Sequence, residues 1–103
     1  MITEKQVEIC ESLDWKIHEY DDGSIELESY SPEGEDLIFR INAGEEFVHG
    51  ICSIAVDFDV DEHVKMWIPS LGENGVPGSI SALVEDAKEI EQMLYELVAA
   101  LRK

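Results

Sequence analysis

"WKIHEYDDGSIELESYSPEGEDLIFRIN", Trp15 to Asn42, decides the fold. Three apolar alternations are separated by two short glycine-ended loops. In "WKIHEY", Trp15 and Ile17 share one face while Lys16 and His18 share the other. "SIELESY" puts Ile25 and Leu27 on one side, Glu26 and Glu28 on the opposite side. "EDLIFRIN" directs Leu37, Phe39 and Ile41 inward, with Ile38 and Arg40 outward. A period of two over such lengths predicts half-buried antiparallel strands.

The loops fix the register. "DDG" (Asp21 to Gly23) and "PEG" (Pro32 to Gly34) each have the form of a three-residue hairpin loop closed by a left-handed glycine. Centring the strands on them sets Ile17 opposite Leu27, and Leu27 opposite Phe39, so the apolar faces coincide. On the other face Lys16 falls opposite Glu28, while His18 and Arg40 flank Glu26. That face is roughly charge-balanced, and such opposite pairs contribute ~0.2–1 kcal/mol each.

Helices are predicted on either side of this meander. "TEKQ" (Thr3 to Gln6) has the capping-box form, and Val7, Cys10 and Leu13 make one apolar face of a helix over 4–13. After the strands, Asn42 or Gly44 is expected to open a helix over about 45–57, with Phe47, Val48, Ile51, Ile54, Ala55 and Phe58 in its buried stripe. Asp59 caps a third helix through the box-like "DVDE", which Pro69 ends. Residues 70–79, "SLGENGVPGS", read as a mobile Gly-rich connector. Ser79 caps a last helix, 80–101, in which Leu83, Ala87, Ile90, Leu94, Leu97 and Leu101 recur at alternate spacings of four and three. The expected fold is α+β, ordered α-β-β-β-α-α-α, one domain over 1–103 with helices packed on one face of the sheet.

Composition then excludes several functions. There are 24 Asp and Glu against 7 Lys and Arg, a net charge of −17. Direct binding to phosphate backbones is disfavoured, since no excess of cations is present to displace counterions. The element order is that of a double-stranded-RNA-binding domain, but "SISALVEDAKE" gives the last helix the wrong charge for phosphate. No segment reaches the ~18 apolar residues of a membrane span. The opening "MITEKQVEIC" lacks the apolar run of a signal peptide, and two cysteines do not make a disulfide framework. A cytoplasmic setting is expected, with no cofactor.

"DFDVDEHVKMWI", Asp57 to Ile68, is the one stretch with a metal-like pattern. Asp57, Asp59 and Asp61 occupy the first, third and fifth positions of a calcium loop. Glu62 stands where that loop needs glycine, and Ile68 where it needs a bidentate glutamate. Asp59, Asp61 and Glu62 are better explained by a helix start, whose dipole favours anions. Asp57, at the end of the preceding helix, has no such explanation. His49 and Cys52 lie three apart and could share a metal ion, but a zinc site would need Cys10 and His63 to converge on them. A thiolate–imidazole nucleophile has no identifiable oxyanion loop or orienting group beside it. No catalytic signature is present.

By size scaling the folded surface is ~5,800 Å², about one net charge per ~340 Å². Duplex DNA carries about one per ~107 Å². Imitation of DNA therefore requires the carboxylates to be focused. The candidates are Glu33, Glu35 and Asp36; Glu45 and Glu46; and Asp57, Asp59, Asp61 and Glu62.

"YSPEGEDLIF", "DVDEHVKMWI" and "GVPGSISALVEDAKEIEQML" together resemble a group of small acidic proteins encoded by anaerobic gut bacteria, often near mobile elements. The resemblance covers most of the chain. It implies a bacterial cytoplasmic setting and a phage, plasmid or conjugative-element role. The group has no assigned activity, so no catalytic residue carries over. The expected function is a non-catalytic module binding a basic protein through those carboxylates, in its sharpest form an anti-defence or accessory protein that occupies a nucleic-acid-binding surface. Two alternatives stand beside it: a divalent-metal site at Asp57, Asp59, Asp61 and Glu62, and a structural oligomer joined through the last helix. Monomer and homo-oligomer both remain open.

Overall fold

The computed structural model describes residues 2–103. The order is α1 (Glu4–Ser12), β1 (Lys16–Glu19), β2 (Ile25–Tyr30), β3 (Asp36–Ile41), α2 (Phe47–Asp57), α3 (Val60–Trp67), a 3-10 turn (Ile68–Ser70) and α4 (Ile80–Leu101). The fold is α+β: an N-terminal helix, a three-stranded antiparallel sheet ordered β1-β2-β3, then three helices.

The register follows the loops. Ile17 faces Leu27 and Leu27 faces Phe39; Lys16 faces Glu28, and Glu26 lies between His18 and Arg40. Gly23 and Gly34 both take positive φ, as the closing residue of each loop must.

α1 begins with the complete Thr3–Gln6 capping box. It stops in a reverse turn in which the Trp15 N–H reaches the Cys10 carbonyl at 2.9 Å and the Asp14 N–H that of Glu11 at 3.1 Å. Asp14 holds the left-handed conformation there, at φ 66°. That turn drops Trp15 into the core and starts β1 in the right direction.

α2 departs from expectation at its start. Glu45 N–H closes a turn onto the Asn42 carbonyl and Gly44 takes φ 91°, so neither Asn42 nor Gly44 opens the helix. Glu46 is the cap, accepting from the Val48 N–H, and the helix runs from Phe47. Asp59 does cap α3, accepting from the Glu62 N–H at 3.2 Å.

The main core joins the inner face of the sheet to α1, α2 and α4 through Trp15, Leu27, Ile41, Phe47, Ile51 and Ile90. Gly50 lets α2 approach β3; a Cβ there would lie 2.9 Å from Ile41 Cγ2. α3 packs on α4 in a second cluster of Val64, Val76, Leu83 and Ala87. The α4 stripe from Leu83 to Leu97 is buried within the protein, which accounts for its spacing.

The connector after α3 is folded rather than loose. Its N–H groups bond internally, Gly72 to Pro77 and Val76 to Glu73, and Val76 enters the second cluster. Gly75 abuts the β2–β3 loop so closely that a Cβ would sit 2.7 Å from the Gly34 carbonyl oxygen. Gly75 thus serves a close approach, and both Gly72 and Gly75 take positive φ that other residues rarely adopt.

Candidate functional site

A groove of about 530 Å³ runs between β3 and the turn that joins α2 to α3. Ile54 from α2, Phe58 from the turn, Met66 from α3 and Phe39 from β3 give it apolar surface. Four carboxylates line it: Glu45, Asp57, Asp59 and Glu62. Helix geometry explains the convergence. α2 ends at Asp57, the extended residues Phe58 and Asp59 break the helix, and Asp59 caps α3, whose first turn carries Glu62. Each of those residues is exposed.

A second hollow of about 310 Å³ continues this groove along β3 past Phe58, His63 and Met66 to Asp36 and Trp67. Met66 is 66% exposed and Ile38, beside it on β3, is 52% exposed, so the channel has an apolar lip. One cation, Arg40, also lines the groove; its guanidinium carbon lies 5.0 Å from the centre of the Tyr20 ring, while Lys65 reaches Glu62 at 3.8 Å across an exposed helix face. Among the described residues neither makes an ion pair with Asp57 or Asp59.

Of the other expected partner-binding residues, Asp36 and Glu35 border the second hollow and the rest lie outside both. Glu46 is exposed but holds the α2 cap, and Asp61 is exposed in the first turn of α3. Glu33 sits at the hairpin tip beside a pocket of about 170 Å³ with Glu85, Asp86 and Glu89. Glu35 is corrected outright as a surface residue. It is 5% exposed, and its Oε1 lies 3.0 Å from His63 Nε2. Its parity explains this: Glu35 is in phase with Leu37, Phe39 and Ile41, all on the inward side of β3.

Asp86 is a buried carboxylate that sequence reasoning placed only as a helix-dipole residue. It is 3% exposed; Oδ1 accepts from the Glu33 N–H at 3.1 Å, and Oδ2 has no hydrogen-bond partner among the described residues. The signal was its position three after Leu83 and four before Ile90, inside the α4 stripe.

Chemistry of other kinds finds little support. Among the described residues no group of three or more His, Cys, Asp or Glu side chains is placed to hold a metal ion, the Asp57–Glu62 stretch and His49–Cys52 included. Cys10 is fully buried, and burial, with Glu11 adding to it, pushes its thiol up to about 11, the reverse of what a nucleophile needs. Among the described residues no helix is long and apolar enough to cross a membrane. No known protein family, curated protein or solved structure matches the chain.

Proposed function

We propose that the chain is a non-catalytic acidic module that binds a basic protein through the groove between β3 and the α2–α3 turn. One observation carries this reading: Glu45, from the loop before α2, meets Asp57, Asp59 and Glu62 of the α2–α3 junction around one groove with apolar walls. Charge there raises encounter rates with a cationic partner, and the apolar walls supply residence.

The sharper form is a bacterial mobile-element or anti-defence protein that occupies the nucleic-acid-binding surface of its partner in the cytoplasm. The surface of 6383 Å² averages one net charge per about 375 Å², against one per ~107 Å² on duplex DNA. Imitation of DNA therefore concerns the groove and its surroundings, not the whole molecule. The part of the sheet's outer face away from the groove, where Lys16 stands opposite Glu28, is close to charge-balanced.

The test is a low-salt pull-down from bacterial lysate with the wild-type chain and the Asp57→Lys/Glu62→Lys variant. A basic nucleic-acid-binding protein is retained by the first and not the second, is released as salt shortens the Debye length to ~3–4 Å, and is displaced by duplex DNA. Retention that ignores both salt and charge reversal refutes the reading.

A further inference from the structure

The sheet ends at β3, and the hydrogen-bond phase shows what its outer edge offers. Ser31 N–H bonds the Glu35 carbonyl, and the pairs Ser29–Leu37, Leu27–Phe39 and Ile25–Ile41 follow in the same phase. The first hairpin gives the complementary set, since Tyr20 N–H bonds the Ser24 carbonyl and the phase continues through Glu26 and Glu28. The amides and carbonyls of Asp36, Ile38 and Arg40 must then point away from β2. Among the described residues no hydrogen bond reaches them. All three residues are exposed.

This edge runs beside the groove. Residues of both parities, from Asp36 to Arg40, border the two continuous hollows, as expected when a strand presents its edge and not one face. Natural sheets usually cover or twist such an edge, because it is a template for another strand.

We propose that β3 accepts an extended, cationic segment of the partner protein as a fourth strand. The proposal rests on the acidic-groove reading and adds the mode of binding. Main-chain bonds to Asp36, Ile38 and Arg40 supply affinity without sequence demand. Alternate side chains of the added strand point toward the helices. A lysine or arginine there lays its aliphatic stem over Phe58 and Met66 and brings its charge to Asp59 or Glu62. The intervening side chains stand beside exposed Ile38, where β-branched residues fit. A second copy of this chain fits less well. Joining two β3 edges about Ile38 would set the acidic α2–α3 turns side by side on molecules of net charge −17.

The probe is a peptide as long as β3 that alternates lysine and valine, titrated at low salt into the full chain. Two further peptides carry N-methyl groups on either the lysines or the valines, because each set removes the donors of one strand edge. One set is expected to bind at least about tenfold more weakly than the other, and the Ile38 and Arg40 amides are expected to gain protection from hydrogen exchange. Ile38→Pro deletes an outward N–H but no bond to β2, so the fold is retained and binding falls by at least about tenfold. If the methylated peptides bind alike and those amides stay unprotected, while Asp57→Lys/Glu62→Lys still abolishes binding, the strand proposal is wrong and the acidic groove stands. If no peptide binds at low salt, the strand proposal falls, and the groove reading is decided by the lysate pull-down alone. Sedimentation showing a dimer that Ile38→Pro dissolves would also overturn it, assigning the edge to self-association.

Discussion

His63 on α3 and Glu35, the residue before β3, meet at 3.0 Å, Nε2 to Oε1, with both side chains largely withdrawn from water. The Glu35 N–H is held in turn by Ser31 Oγ at 2.9 Å. The His63 ring lies between Phe58 and Trp67. The pair therefore ties α3 to the β2–β3 hairpin and fixes the wall of the groove.

Removing one partner of this contact leaves the other buried and unsatisfied. Glu35→Ala is expected to lower stability by about 2 kcal/mol, and Glu35→Gln, which keeps an acceptor for Nε2–H, by less than about 1 kcal/mol. Urea denaturation of the two variants measures the difference. Equal losses would show that packing around Glu35, not its bond to His63, is what matters.

The pair also marks the limit of what the sequence discloses. The meander was legible because two loops of known length fixed the register, and each strand's apolar set agreed with it. The caps Thr3, Asp59 and Ser79 were legible because a hydroxyl or carboxylate before an apolar period has a local job. Glu35 and Asp86 were misplaced by reasoning from residue type over position: both lie in the apolar phase of their elements. Asp57, Asp59 and Glu62 were legible as one cluster because they are neighbours in the chain; that Glu45 joins them depends on how α2 and α3 lie against β3, a tertiary fact with no local signature. Gly50 and Gly75 had the same difficulty, since what each glycine admits is backbone or side chain distant in sequence.

Gly50→Ala tests that close approach. Alanine improves helix propensity by ~1 kcal/mol, but its Cβ would press on Ile41, which is buried and stiff. Overpacking of this kind costs ~1–3 kcal/mol, so a net loss of up to about 2 kcal/mol is expected. Thermal melting resolves this, because about 1 kcal/mol moves Tm by ~4–8 °C in a domain of this size. A raised Tm would mean that Ile41 gives way without strain.

Asp22 gives a pH dependence of stated sign. Its Oδ1 accepts from Ser24 Oγ at 2.6 Å and from the Ser24 N–H at 2.8 Å, closing the β1–β2 loop. The hydroxyl bond first, and the amide bond second, hold its carboxyl below the ordinary 3.8. A depressed value means that the native state favours the ionised form. Its stabilisation is complete above 3.8 and disappears as pH falls through the native value. Carboxyl NMR titration should find Asp22 below 3.8, and Ser24→Ala should move it upward. A value unchanged by Ser24→Ala would assign the effect to another group.

Asp57 separates stability from binding. It ends α2, where the carbonyl end of the helix dipole opposes a negative charge, and it lines the groove. Asp57→Asn removes the charge with little change of shape. It is expected to raise stability by ~0.3–1 kcal/mol, while weakening the lysine–valine peptide about threefold or more at low salt. The two effects have opposite signs because the same charge that burdens the helix faces the proposed ligand. Chemical denaturation and peptide titration on one preparation measure both. A variant that gains stability and binds equally well would remove Asp57 from the interface and leave its charge a matter of solubility; one that loses stability would show that the carboxylate serves the helix junction itself.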